Sequence, residues 1–233
     1  MIGGAEVALD LSRTTIESHY YGVYPAIVVD NQDPDGQGRV LVRLPWSPDS
    51  SGAAYEAWAR LATMMGGKSR GTWFIPDTED EVLVSFQAGD PRLPFVVGAM
   101  WNGQDTAPES IDSDNNIKSI VSRTGIRITL DDTRGAATLT LKTPAGQSVV
   151  LTDSGAQITV SDLTGNSIQL APGGVTITSA GPLNISAPTV SCDFGLLNID
   201  AAMSTFSGVL QCDVLLAETV VASTYTPGLG NSA

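Results

Sequence analysis

The chain has 233 residues, 42% of them apolar and only 16% charged, with 24 glycines and a net charge of −13. That length accommodates one large or two modest domains, and few charges among many Gly, Ser and Thr residues favour an all-β chain over a helical one. The acidic balance argues against nucleic acid as a partner, because phosphates are held by Lys/Arg patches that displace counterions.

Residues 20–101 read as a series of short strands. "YYGVYPAIVVD" is followed by an acidic loop and then by "GRVLVRLPW", where Val40, Val42 and Leu44 alternate with Leu41 and Arg43. "EAWARLATM" places Trp58, Arg60 and Ala62 on one face, and "DEVLVSF" and "PFVVGAMW" complete the set. About five strands in ~80 residues, broken by a Gly-rich segment, suit a small closed barrel of the OB type, with a sandwich as the alternative topology. Residues 102–117, "NGQDTAPESIDSDNNI", are polar and read as a linker or crossover.

Three features of this half invite a chemical reading, and each has a plainer one. Counted from Asn31, a calcium loop would find Asp33, Asp35 and Gly36 at positions 3, 5 and 6, but position 12 is Val42 and closes no coordination sphere. Asp33-Pro34-Asp35-Gly36 instead carries the residues of a β-turn, and an exposed loop has no apolar pocket to tune an acid–base pair. "GGKS" at 66–69 resembles the end of a phosphate loop, yet Ala62 stands where the first glycine belongs and no strand-then-helix surrounds it. His19 is the only histidine, so any zinc site or catalytic triad would have to use it; beside Tyr20 and Tyr21 a structural role is expected.

Beyond the linker the chain repeats. "GIRITL", "GQSVVL" and "GNSIQL" begin at Gly125, Gly146 and Gly165, and each is followed by a turn and an apolar-Thr-apolar strand: "LTL", "ITV", "VTI". The repeat is about twenty residues of paired strands, Thr and Ser on one face and Val, Ile and Leu on the other. After Lys142 there is no Lys or Arg in the remaining 91 residues, but six acids are present; the Val, Ile and Leu content argues against disorder. A ribbon with one apolar face must bury it against a neighbour. Either the chain coils into a single-chain β-solenoid, or three chains wind together in a slim trimer; the scarcity of aromatics after residue 118 (Phe194, Phe206 and Tyr225) favours the trimer. Cys192 and Cys212 are too few for a disulfide framework and are expected as small buried thiols of a protein made in a reducing cytoplasm. No basic-then-apolar N-terminal signal is seen, and no run nears the ~20 apolar residues of a membrane helix.

The motifs together resemble the central spike family of contractile phage tails and phage-tail-like injection systems, including the valine-glycine repeat protein G of type VI secretion. The resemblance is carried by Gly38-Arg39-Val40 through Pro45-Trp46, the "GTWFIP" turn, "DEVLV" at 80–84, Gly89-Asp90-Pro91 and the segment from Gly98 to Gly103, and the later repeats match the family's triple-stranded β-helix. It implies an N-terminal OB-fold barrel followed by an intertwined trimeric β-helix. The corresponding division is 1–19, a segment touching a hub or neighbouring subunit; 20–104, the OB domain; 105–117, a linker; 118–223, a needle; and 224–233, a tip. The implied role is mechanical and non-enzymatic: a homotrimer that plugs the tube and pierces the target envelope on sheath contraction. It is assembled in the bacterial cytoplasm without a signal peptide and carried in a phage tail or extracellular particle.

The implied partners are a hub or baseplate protein at the OB end, the tail tube indirectly, the target membrane transiently, and a proline-alanine-alanine-arginine (PAAR) repeat tip protein at the C-terminal end. Neither a cofactor nor a metal is expected: the His-x-His iron motif of some short phage spikes has no counterpart after His19. Nor is there room for a lysozyme insertion. The tip contact is expected at Thr224, Tyr225, Thr226, Pro227, Gly228 and Leu229. The competing function is a carbohydrate-binding or polysaccharide-degrading solenoid, but its carboxylate cluster would have to come from Asp131 and Asp132, which on a strand face opposite ways.

Overall fold

The computed structural model describes residues 19–48 and 51–224. Five strands close a barrel: β1 (Tyr24–Asp30), β2 (Val40–Pro48), β3 (Ala54–Leu61), β6 (Glu81–Phe86) and β7 (Pro94–Ala99). A minor hairpin, β4 (Gly66–Gly67) with β5 (Arg70–Gly71), lies between β3 and β6. The strand order around the barrel is β1-β2-β3-β7-β6. Every pairing is antiparallel except β3 with β7, where Arg60 and Leu61 run parallel beside Phe95 and Val96. This is the closure of an OB barrel, and it leaves no open strand edge. Irregularities at Val28/Asp30, Leu44/Pro48 and Leu83/Val84 supply the bends that closure requires.

The barrel core follows from period-2 alternation. Val40, Val42 and Leu44 point inward from β2, where they meet Ala26 and Val28, Val82 and Val84, and Val96. β3 contributes Ala59, while Trp58 and Arg60 flank it on the outer side. One mouth of the barrel is stoppered by aromatic rings. Tyr24 stacks on Trp46 with centroids 4.7 Å apart, Tyr20 meets Trp46 edge-on at 5.1 Å, and both tyrosines contact Phe86. The polar tips of this cluster are satisfied: the Trp46 indole N–H donates to the Pro25 carbonyl at 2.7 Å, and Tyr20 shares a 2.8 Å hydrogen bond with Ser47.

Downstream lies one seven-stranded antiparallel sheet in sequential order: β8 (Ile117–Val121), β9 (Arg127–Asp131), β10 (Thr138–Lys142), β11 (Ser148–Thr152), β12 (Gln157–Ser161), β13 (Ser167–Ala171) and β14 (Gly174–Thr178). The twenty-residue repeat is one hairpin of this meander. At one edge the turns start at Ser122, Thr143 and Asp162. In the first two, the N–H of Gly125 and of Gly146 donates back to the residue that starts the turn. The glycine that opens each repeat, Gly125, Gly146 and Gly165, has φ of +88°, +93° and +95° respectively, the left-handed geometry that lets a short turn join two strands without splaying them. Asp162 braces the third turn by accepting from both the backbone and side chain of Thr164 and Asn166; its pKa falls to about 2, chiefly through the Asn166 side chain.

The sheet is an open meander and does not coil on itself, which removes the single-chain solenoid. A second compact unit, beginning at Leu183, has neither helix nor strand among its described residues. Its apolar side chains are exposed, and so are Cys192 and Cys212, contrary to the expectation of buried thiols within one chain.

Candidate assembly interface

Directly opposed residues in an antiparallel pair share a face, as do residues two apart on one strand. Following the register across the sheet gives one unbroken apolar row, Ile120-Ile128-Leu141-Val149-Val160-Ile168-Ile177, through all seven strands. A second row on the same face runs Leu130-Leu139-Leu151-Ile158-Leu170-Val175 and is completed at the β8 end by Lys118. The opposite face carries Ser119-Thr129-Thr140-Val150-Thr159-Gln169-Thr176. The two faces therefore differ almost completely in polarity.

The apolar face is uncovered. Among the described residues, the buried apolar core comes entirely from the barrel, its last member being Val96. The sheet rows remain about 40–60% exposed at positions such as Ile120 (51%), Leu141 (40%), Val160 (42%) and Ile177 (58%). A contiguous patch of this extent exceeds what a monomeric surface ordinarily leaves open. At its near end the polar face is partly occupied by the chain itself, since Glu109 pairs with Arg127, which shares a face with Thr129. One further ion pair ties barrel to sheet, Arg123 with Asp77 at 2.9 Å, while Lys118 with Asp132 at 2.9 Å joins the start of β8 to the end of β9 within the sheet.

The residues singled out for chemistry have structural employment. The Asp33 carboxylate, 4% exposed, accepts from the backbone N–H groups of Asp35, Gln37 and Arg39 and from the Arg39 guanidinium at 2.7 Å. The Gly36 N–H donates to the Asp33 carbonyl at 3.0 Å and Gly36 has φ +63°, so Asp33–Gly36 is a turn. The "GGKS" segment forms the minor hairpin, with Gly66 opposite Gly71 and Gly67 opposite Arg70. His19 stacks on Tyr21 at 5.9 Å. The Asp131 carboxylate accepts from the Thr133 N–H and hydroxyl, and Asp132 is the partner of Lys118. Of the expected tip residues, Thr224 lies exposed in irregular backbone, while Tyr225, Thr226, Pro227, Gly228 and Leu229 fall outside the described residues.

An OB barrel joined to a one-sided β-ribbon defines a class of protein that is completed by copies of itself. Residues 24–101 match the injector OB domain of type VI secretion systems and phage baseplates. Residues 119–177 and 138–198 match the phage baseplate V C-terminal trimerisation domain. The chain belongs to this baseplate V family, its barrel being the first domain and its sheet lying in the second.

Curated relatives agree over part of their length. The type VI secretion system spike protein VgrG1b of Pseudomonas aeruginosa is 31% identical over 124 residues, 49% of this chain and 17% of that protein. Spike protein VgrG3 of Vibrio cholerae is 35% identical over 88 residues, 37% of this chain and 9% of that one. The V. cholerae actin cross-linking toxin VgrG1 is 32% identical over 78 residues, covering 33% of this chain and 7% of the toxin. The matched region thus spans less than a fifth of each of these relatives.

Proposed function

We propose that three copies of this chain pack their apolar sheet faces around a common axis and form the central spike of a contractile injection machine, of the phage-baseplate or type VI kind. The observation that carries this reading is the pair of unbroken apolar rows with nothing among the described residues to cover them. Covering a half-exposed Ile, Leu or Val adds about 1 kcal/mol. Rows of seven and six residues together supply on the order of 10 kcal/mol per copy, comparable with the whole stability of a typical domain. The described residues 183–224, exposed and without strand pairing within one chain, would take their strand partners from the other two copies, and Cys192 and Cys212 would be covered there.

The role is mechanical and not enzymatic. Interdigitated apolar rows and backbone pairing across chains make a stiff shaft, because close-packed interiors yield little under load. The two proteins named as spikes match 49% and 37% of this chain, and the match to the toxin covers only 7% of that protein. The barrel would face a hub or baseplate protein with the tail tube beyond it. The needle's far end would carry a PAAR-type tip protein and meet the target membrane only during contraction. No helix among the described residues is long and apolar enough to cross a membrane.

Light scattering on the purified chain tests this directly. A mass of three chains, persisting in several molar urea, is expected; a stable monomer with the sheet still folded would overturn it.

A further inference from the structure

A second apolar surface sits on the barrel side of the sheet. Trp73 (75% exposed), Phe74 (70%) and Trp101 (69%) stand out from the barrel, with Met64 and Met65 on the adjoining hairpin. They are continuous: Phe74 lines both the groove along the Met64–Met65 hairpin and the groove shared by Trp101, Ile120 and Val121. Three large aromatics this exposed leave several hundred Å² of apolar surface open, the size of a recognition patch.

The patch is held in shape before anything binds it. Trp73 lies against Gly38, which has φ +73°, where a Cβ would stand 3.1 Å from the indole ring, so any larger residue would strain the backbone and push the ring by a few tenths of an ångström. The hairpin behind it is braced by the Thr72 N–H donating to the Met65 carbonyl at 3.0 Å and by the Thr63 hydroxyl donating to the Thr72 carbonyl at 2.9 Å. A fixed, exposed aromatic cluster loses little entropy on docking, which is the physics of an interface anchor.

What covers it follows from Ile120. That residue is the first member of the apolar row that the trimer proposed above would bury, lies within the matched trimerisation domain, and shares a groove with Phe74 and Trp101. A neighbouring copy seated on the row at Ile120 is therefore within side-chain reach of Phe74. We infer that Trp73, Phe74 and Trp101 form a second contact between copies, in which each barrel is latched onto the next one around the axis. A cyclic trimer makes such contacts between two different patches, so one copy's aromatics meet another part of its neighbour. This rests on the trimer reading above. It adds that the barrels are locked together and do not hang independently from the shaft.

Lys68 and Arg70 are exposed on the same hairpin and report on it through trypsin. In the intact trimer, cleavage after Lys68 and Arg70 is expected to be at least tenfold slower than in a Trp73→Ser/Phe74→Ser/Trp101→Ser variant whose light-scattering mass is still that of three chains. Acrylamide quenching of the wild type should lose little amplitude in Trp73→Phe and Trp101→Phe variants, because both indoles are shielded. A trimer that is cut at the variant's rate, with both indoles freely quenched, overturns the latch and leaves the trimer standing, the patch then being open to a hub protein. A monomer overturns both. Should the triple variant fold poorly, Trp101→Ser alone gives the same comparison, since Trp101 is exposed and outside the strands.

Discussion

Asp33 and Arg39 form a closed unit within one loop. The guanidinium donates to both Asp33 oxygens and to Asp35, while the Arg39 backbone N–H donates to the same Asp33 carboxylate. Arg39 also lies over the Trp58 ring at 5.6 Å, so the loop is fastened to strand β3. The hydrogen bond from the Arg39 side chain leads the effects that hold Asp33 well below the ordinary carboxylate range, with the backbone donors of Arg39, Asp35 and Gln37 adding to it against a smaller burial cost.

A carboxylate whose pKa is depressed on folding stabilises fully above its unfolded value of about 4, and that contribution is lost as pH falls through the lower folded value. The barrel should therefore keep its melting temperature from neutral pH down to about pH 4 as far as this site is concerned, and weaken below it. Asp33→Ala removes the acceptor for three backbone N–H groups and should lower the barrel's melting temperature by roughly 5–10 °C at pH 7. The same substitution should flatten the acid limb of the curve. Calorimetry of both proteins from pH 7 to pH 2 checks it; an unchanged acid limb would mean that the loop is incidental.

The two faces of the sheet make a sharper test. Val160→Asp places a charge on the apolar row, and in a trimer three such charges converge, each costing several kcal/mol to desolvate without a partner. Assembly should fail. Thr159→Asp, one residue away on the same strand, faces outward and should leave the trimer mass unchanged and the melting temperature within a few degrees. Light scattering on the two variants separates the faces; equal behaviour would contradict the row assignment.

Alternation made the barrel strands and the sheet strands readable in the sequence, because half-buried strands keep period 2 whatever their partners. The Asp33–Gly36 turn was readable for a local reason, Pro and Gly in a four-residue span. Three features were not. That Ile120 and Ile177 end one continuous row depends on six successive registers, and register is a property of pairs. Trp73 seated on Gly38 joins residues 35 apart, with no periodic signal between them. Residues 183–224 have no strand partner among the described residues, so composition shows that the segment can bury surface without showing against what.

Phe86 sets the stability of the barrel's aromatic mouth. It is nearly buried and touches both Tyr20 and Tyr24. Phe86→Ala should cost about 3–4 kcal/mol, transfer loss plus an incompletely collapsed cavity, and Phe86→Leu about 1–2 kcal/mol. Because Trp46 packs in the same cluster, its fluorescence should follow the transition in urea. Equal, small effects from both substitutions would show that the rings are decoration and not core.

The far end of the needle is the remaining contact to test. The C-terminal segment offers small and polar residues around Tyr225 and Pro227, with no basic residue anywhere after Lys142. A tip protein seated there would be held by shape and backbone contacts more than by ion pairs, so its binding should change little with salt. Removing residues 224–233 should leave the trimer mass and melting temperature unchanged, since the apolar rows end at β14, yet abolish co-elution with a PAAR-type protein. Tyr225→Ala and Leu229→Asp in the full chain should each weaken that association at least tenfold. Retention of the tip protein by the truncated trimer would move its seat into the shaft itself, and a steep loss with 0.5 M salt would replace the shape-based contact with an electrostatic one.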